Sequence, residues 1–221
     1  DDPHAAGIKY VYDQGIVQGY NDGTFKSTSR INRAEFSKII INAFLKTDVD
    51  ITATCYYNYS TALKSCSNSS SCEATEFGKF AVCTNKKSDA NGQWAADALA
   101  LKGYGNCFAD VKVDDWFHKY ICLAKVRFVV DGYSNGSFLP SNEITFAEAA
   151  KIIVNSVGYA VVKDEKIWYK PYVTSLIERH AIPKTIVRFD QKITRGEMAD
   201  IVYRLLDKKM DLPSQTYDDL R

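Results

Sequence analysis

Apolar residues recur in this chain at helical spacing, in short stretches that each open with a capping residue and a glutamate three places on. Behind Asn32 and Glu35 run Phe36, Ile39, Ile40, Ala43 and Phe44; behind Thr145 and Glu148 run Ile152, Ile153 and Val157. Behind Thr194 and Glu197 run Met198, Ile201, Val202 and Leu205. Apolar positions three and four apart share one helical face, so each stripe predicts an amphipathic helix with that face in a core. The polar pair predicts a capping box, the first side chain accepting from first-turn amides while the glutamate reaches back. Ahead of the first stripe, Ile8, Val11 and Tyr12 predict a shorter helix, with Gly15 placed to end it in a left-handed cap. The unit is helix, turn, helix, which predicts an all-α fold.

The turn between the two helices is also written more than once. Gly19-Tyr20-Asn21-Asp22-Gly23-Thr24-Phe25 is followed by Ile31-Asn32-Arg33-Ala34-Glu35. Both halves recur at the same spacing as Gly132-Tyr133-Ser134-Asn135-Gly136-Ser137-Phe138 and Ile144-Thr145-Phe146-Ala147-Glu148. A third copy keeps only Ile193-Thr194-Arg195-Gly196-Glu197, after a turn three residues shorter. Units of this size cannot bury their apolar faces alone and must pack on one another. Gly19, Gly23, Gly132 and Gly136 are expected at positive backbone angles.

Ile31 and Ile144 are 113 residues apart and Ile144 and Ile193 only 49, so about 60 residues are inserted between copies one and two. The expected organisation is copy one at 1–47, an insertion at 48–106, copy two at 107–159, copy three at 160–210 and a tail at 211–221. Six cysteines without a C-x-x-C pair or a suitably spaced histidine argue for disulfides and an oxidising compartment rather than a metal site. Of fifteen possible pairings, the palindromic spacing favours Cys66–Cys72 near the tip and Cys55–Cys83 at the base of two short antiparallel helices joined by residues 67–71. Cys107–Cys122 would then pin the start of copy two to its first helix. Residues 94–102 are expected to form another short helix.

Composition changes this picture little. With 46% hydrophobic and 25% charged residues the chain can build a core, and its net charge of +1 offers no general field for nucleic acid or a membrane surface. No apolar run reaches the length of a membrane span, and the numbering is expected to start after a leader. His4, His118 and His180 stand apart in sequence, which argues against catalysis. A calcium loop fails on register, since with Gly23 sixth, Gln18, Tyr20 and Ser29 would have to be ligands. No cofactor is expected. The sequons at Asn58 and Asn68 would matter only in a eukaryotic secretory route.

The copies resemble S-layer homology modules, whose pattern is an F-x-D opening, a Trp-bearing helix, a G-Y-x-D-G-x-F turn and an I-T-R-A-E helix start. Copy two fits best, with Phe108-Ala109-Asp110-Val111, Trp116, residues 132–138, Pro140 and residues 144–148. Copy one matches from Pro3 onward, and copy three keeps Trp168, Tyr172 and residues 193–197. The resemblance covers about two thirds of the chain and implies three modules around an approximate threefold axis, with grooves that bind cell-wall glycan, often an anionic, pyruvylated polymer, or peptidoglycan. It implies an extracellular place on a bacterial cell wall. The sugar-contacting set it implies is Arg33, Arg195, Tyr20, Gly19, Tyr133, Trp116, Trp168 and Asp110.

Arg33 and Arg195 directly follow the helix caps, so a guanidinium and the positive end of a helix are expected to meet a sugar carboxylate. Trp116 and Trp168 are read first as core anchors between modules and second as ring platforms. Copy two carries Phe146 where the family has arginine, so its groove loses the anion clamp and is either filled or suited to something less charged. One competent site around Arg33 and a lesser one around Arg195 are expected. Tyr217-Asp218-Asp219-Leu220 resembles the opening and is expected to close against copy one or to begin a further segment. Two rival classes remain: a structural subunit assembling with other surface-layer subunits, and an enzyme using Asp110, Asp114 and Asp115, which no pattern marks as a catalytic pair.

Overall fold

A computed structural model describes residues 2–45, 107–112, 114–162 and 166–220. Six helices lie in these stretches: α1 (Ala5–Asp13), α2 (33–45), α3 (His118–Val126), α4 (Phe146–Val157), α5 (Lys170–Ile177) and α6 (Arg195–Leu206). Extended pairing among the described residues is confined to isolated bridges, so the fold is all-α as the periodicity predicts. The expected hairpin, its Cys55–Cys83 and Cys66–Cys72 bridges and the helix at 94–102 lie outside the described residues. The chain divides into residues 1–44 with 139–221, and residues 45–138.

In the first unit the three copies meet at three isoleucines. Ile31 N–H donates to Ile193 O at 3.1 Å, Ile193 N–H to Ile144 O at 3.2 Å, and Ile144 N–H to Ile31 O at 3.2 Å. All three side chains are fully buried, so one ring closes both the polar and the apolar accounts of the axis. Bridges Arg30–Thr194, Asn32–Glu143 and Thr145–Lys192 flank the ring with the same cyclic order. Around it, α1 packs on α6 and α4 on α5. In each pair the first helix of one copy covers the second helix of the copy before it.

The predicted caps form. Thr145 Oγ1 accepts from Glu148 N–H and Thr194 Oγ1 from Glu197 N–H, with each glutamate returning to the cap. Asn32 Oδ1 accepts from Glu35 N–H at 2.8 Å, the return bond being longer at 3.4 Å. The stripes are core at Phe36, Ile39, Ile40, Ile152, Ile153, Met198, Ile201, Val202 and Leu205, while Ala43, Phe44 and Val157 are half-buried. Helix α1 departs from its predicted face. It buries Gly7 and Val11, leaves Ile8 half-buried and exposes Tyr12, because Gly7 lies so close to Asp200 that a Cβ would stand 2.7 Å from the Asp200 Cα.

Each copy ends its first helix with a left-handed residue at the same place. Gly15 N–H donates to Tyr12 O and Ile16 N–H to Val11 O, a Schellman cap with Gly15 at φ +65°. His180 does the same at φ +50°, with bonds from His180 to Ile177 O and from Ala181 to Leu176 O. In the second unit Phe128 takes the place at φ +56°, with bonds from Phe128 to Lys125 O and Val129 to Ala124 O. Of the turn glycines, Gly23, Gly132 and Gly136 have the expected positive angles. Gly19 does not: its constraint is close approach, since a Cβ would stand 3.1 Å from Thr24 O.

The second unit carries the opening of copy two. Cys107 and Cys122 are joined with Cα atoms 5.4 Å apart, pinning that opening to α3 as the spacing predicts. Lys125 Nζ donates to Cys107 O and lies over the Phe108 ring. Phe108 and Val111 form a bridge, Ala109 N–H donates to Gly136 O, and Asp110 Oδ1 accepts from Phe138 N–H at 2.7 Å. Gly132 is required here, because a Cβ would stand 2.3 Å from Phe108 Cε1.

The tail repeats this opening on a different copy. Leu220 N–H donates to Tyr217 O as Val111 does to Phe108 O, and Leu220 is buried like Val111. The segment docks on copy three: Gln215 N–H donates to Ile182 O, Gln215 Nε2 to Lys184 O and Ile186 O, and the Tyr217 ring lies 5.0 Å from that of Phe189. Copy three, whose own lead-in lacks the F-x-D phrase, therefore receives one from the far end of the sequence. Closure against copy one, expected from the sequence, is replaced by closure on copy three.

Candidate functional site

The second helix of each copy starts in a seam against the next copy, and there its amides are already used. Arg33 and Ala34 N–H donate to Asn142 O and Pro140 O of copy two, and Phe146 and Ala147 N–H to Gln191 O and Phe189 O of copy three. Arg195 and Gly196 N–H donate to Ser29 O and Ser27 O of copy one. The third amide goes to the cap side chain. The positive helix ends expected to meet a sugar carboxylate are thus capped by backbone carbonyls of the neighbouring copy.

Between copies three and one, Arg195 is only 6% exposed. Its Nε donates to Phe25 O at 3.0 Å, and its guanidinium lies 4.8 Å from the ring centres of both Tyr20 and Phe25. The structure thus brings Arg195 and Tyr20 together, with Gly19 adjoining Tyr20 in the same turn. Lys26 Nζ also lies 4.1 Å from the Tyr20 ring centre. Asp22 closes this turn by accepting from Thr24 N–H and Oγ1, and those hydrogen bonds, with Lys26 nearby, hold its carboxyl down to about 2. Asn135 makes the same pair of bonds to Ser137 in copy two, so the residue closes the turn in both copies.

The same seam holds a buried polar cluster that no repeated phrase in the chain points to. His4 Nδ1 lies 3.2 Å from Asp200 Oδ2, and Arg204 Nε donates to Asp200 Oδ1 at 2.8 Å. Arg204 Nη1 donates onward to His180 O and Pro213 O. Burial alone would raise the Asp200 carboxyl, but hydrogen bonds from His4 and Arg204 outweigh it and hold the group below the usual carboxylate range. The His4 ring is accommodated by Gly196, where a Cβ would stand 2.8 Å from His4 Cδ2.

Between copies one and two, Arg33 is 5% exposed and Arg33 Nη1 meets Glu148 Oε1 at 2.9 Å. Glu148 spends its other oxygen on the Thr145 cap, so a single carboxylate ties the starts of α2 and α4. In the second unit Tyr133 is partly exposed and Asp110 holds the turn through Phe138 N–H. Trp116 is 54% exposed, its ring edge-on to Phe117. Trp168 repeats this at 50% exposure, edge-on to Tyr169. Both indoles therefore depart from the core-anchor role expected first; Phe117 and Tyr169, one residue on, precede the helices and shelve the indoles.

Between copies two and three a cleft of about 460 Å³ is lined by Thr145, Ala147, Trp168, Tyr169, Arg188, Phe189 and Asp190. Phe146, at the position of Arg33 and Arg195, is fully buried and contributes no charge. The cation here is Arg188, whose Nε donates to Asp190 Oδ1 at 3.0 Å. Arg188 lies outside the repeated phrases. Its signal is register alone, five residues before Ile193 as Lys26 is before Ile31.

Residues 1–37 and 108–150 match the S-layer homology domain family. The chain is 30% identical over 210 residues to the middle cell wall protein of Brevibacillus brevis, covering 94% of this chain and 15% of that protein. It is 23% identical over 152 residues to the surface layer protein of Brevibacillus choshinensis, covering 69% of this chain and 9% of that one. It is 30% identical over 129 residues to S-layer protein sap of Bacillus anthracis, covering 52% of this chain and 16% of that one. The chain thus spans a small part of each of these relatives. With its turn phrases, capped helix starts and cyclic isoleucine ring in place, the chain belongs, over residues 1–37 and 108–150, to the S-layer homology domain family.

Proposed function

We propose that this chain is a non-catalytic anchor on the outside of a bacterial cell, holding cell-wall polysaccharide or peptidoglycan in the seams between its modules. The isoleucine ring carries the reading: it sets three copies around one axis and leaves between copies two and three a cleft with an exposed indole and a guanidinium. Relatives named for the cell wall and the surface layer support the setting. No described helix is long and apolar enough to cross a membrane. Arg33 and Arg195, buried against Glu148 and the Tyr20 turn, fix the walls of their seams, and first contact with glycan falls to exposed groups such as Trp168, Trp116 and Tyr133.

The test is sedimentation of purified chain with isolated cell-wall polymer: co-sedimentation is expected, with the polymer uncleaved after long incubation. Recovery of the chain in the supernatant at every polymer concentration would remove the reading. Relatives named for the surface layer favour a second one, a structural subunit joined to other surface-layer subunits through protein contacts. Concentration-dependent self-association without glycan would support that alternative.

A further inference from the structure

We infer that Asn135 is a site of deamidation, converted by water to aspartate in a turn already shaped for the carboxylate. The turn of copy one shows the surroundings such a product would have. There Asp22 Oδ1 accepts from Thr24 N–H at 3.0 Å and from Thr24 Oγ1 at 2.6 Å. In copy two Asn135 Oδ1 accepts from Ser137 N–H at 3.1 Å and from Ser137 Oγ at 2.7 Å. The backbone agrees as closely: Tyr20 N–H to Thr24 O and Tyr133 N–H to Ser137 O are both 2.8 Å, and Gly23 N–H to Tyr20 O and Gly136 N–H to Tyr133 O both 2.9 Å. Gly23 and Gly136 stand at φ +76° and +79°. Two donors converging on one oxygen suit an anion better than a neutral amide. In copy one the two Thr24 donors, with Lys26 nearby, hold the Asp22 carboxyl down to about 2.

The chemistry needs water and an unhindered residue after the asparagine, and both are at hand. Asn135 is exposed, Gly136 carries no Cβ, and nothing lies within 4 Å of where one would stand. When the Gly136 amide leaves Tyr133 O and gives its proton to solvent, its nitrogen attacks Asn135 Cγ; the Cγ–Nδ2 bond breaks and ammonia departs, leaving a cyclic imide. Both side-chain hydrogen bonds engage Oδ1, which polarises Cγ and leaves Nδ2 able to go. Water then opens the imide. Attack at Cγ breaks its bond to the Gly136 nitrogen and restores the main chain beside an aspartate, whereas attack at the main-chain carbonyl gives isoaspartate. Isoaspartate lengthens the main chain by a methylene inside the turn closed by Tyr133, Gly136 and Ser137, so the fold selects aspartate. The sum is one water taken up and one ammonia released, with no electrons exchanged. The formal net charge falls from +1 to zero. The step runs one way, because an aspartate held as Asp22 is held stays ionised, and a carboxylate resists closing the imide again.

The experiment holds the full chain folded at mildly alkaline pH beside the same chain unfolded in guanidinium chloride. Peptide mapping by mass follows Asn135 and separates it from Asn91, which is also followed by glycine. An isoaspartate-specific methyltransferase distinguishes the two products. Expected in the folded chain is conversion about tenfold slower than in the unfolded one, since one turn hydrogen bond must open first, with aspartate the larger product. The unfolded chain should give mostly isoaspartate. Asn135→Asp, which makes the product directly, should melt no lower than the unaltered chain. A folded-state rate below about one hundredth of the unfolded rate overturns the site. Isoaspartate as the larger product of the folded chain, or an Asn135→Asp chain that melts early, overturns the fit of the turn to a carboxylate and the inference with it.

Discussion

The seam between copies two and three and the seam between copies three and one share one backbone plan, yet they present different surfaces. In both, the first two amides of the second helix donate to carbonyls of the next copy, and a threonine with a glutamate caps the turn. Three residues then diverge. The earlier seam has Phe146, Ala147 and Tyr169 where the later has Arg195, Gly196 and His4. Tyr169 shelves an exposed indole beside a cleft, whereas His4 sits buried on Gly196 and is held by Asp200, with Arg195 tucked over Tyr20 and Phe25. Backbone hydrogen bonds fix the ring, and side chains at a few equivalent positions decide whether a seam opens as a cleft or closes as a joint.

The joint should break hardest at Asp200. Removing its carboxylate in Asp200→Ala strands the buried Arg204 guanidinium and the His4 ring, at a cost of about 3–5 kcal/mol, read from urea unfolding. A loss below 1 kcal/mol would show that the cluster is incidental to the joint. Acid should act through the same group. The Asp200 carboxyl is depressed in the folded chain relative to its ordinary 3.8, so its contribution is complete above the unfolded value and is lost as pH falls through the lower folded one. The expected outcome is a melting temperature that drops below about pH 4, less steeply in Asp200→Ala. Asp2, held low by a hydrogen bond from Ser27, adds to the residual slope.

Exchanging the small residues sharpens the comparison further. Gly196→Ala places a methyl 2.8 Å from the His4 ring and 3.1 Å from Ser27 O, and overpacking of this kind costs about 1–3 kcal/mol, offset in part by better helix propensity. Ala147→Gly, at the equivalent place in the cleft seam, should cost only the propensity, about 1 kcal/mol. If His4 is the obstacle, Gly196→Ala made together with His4→Ala should cost less than the two single changes summed; strict additivity would place the strain elsewhere.

What the sequence made legible was local. A capping box is written within four residues and a stripe within a dozen, so Thr145–Glu148, Thr194–Glu197 and the cores behind them could be read directly. The isoleucines that open each phrase were visible too, but the order in which their amides pair around the axis depends on contacts across the chain. For the same reason the helix ends looked available to an anion, although neighbouring carbonyls occupy them. Trp168 and Trp116 read as core because apolar bulk is the only signal a sequence offers for them. Arg188 and the docking of Tyr217 on copy three lie outside every repeated phrase, and only position relative to Ile193 or likeness to the copy-two opening hints at either.

The smallest expected effect concerns the helix ends, where copy one and copy three differ by a single residue in the same cap. Gly15 enters the left-handed region without a Cβ, whereas His180 enters it at φ +50° carrying one. The His180 side chain is exposed, and what the cluster uses is its backbone carbonyl, which accepts from Arg204. His180→Gly should therefore keep the Schellman bonds and the Arg204 contact while removing the steric cost. A gain of about 0.5–1 kcal/mol is expected, the strain relieved being partly cancelled by the freedom glycine adds to the unfolded chain. The reverse exchange, Gly15→His, should lose a similar amount. Urea unfolding of the two variants side by side reads both signs, and a destabilised His180→Gly would mean that its imidazole makes a contact worth more than the left-handed turn costs.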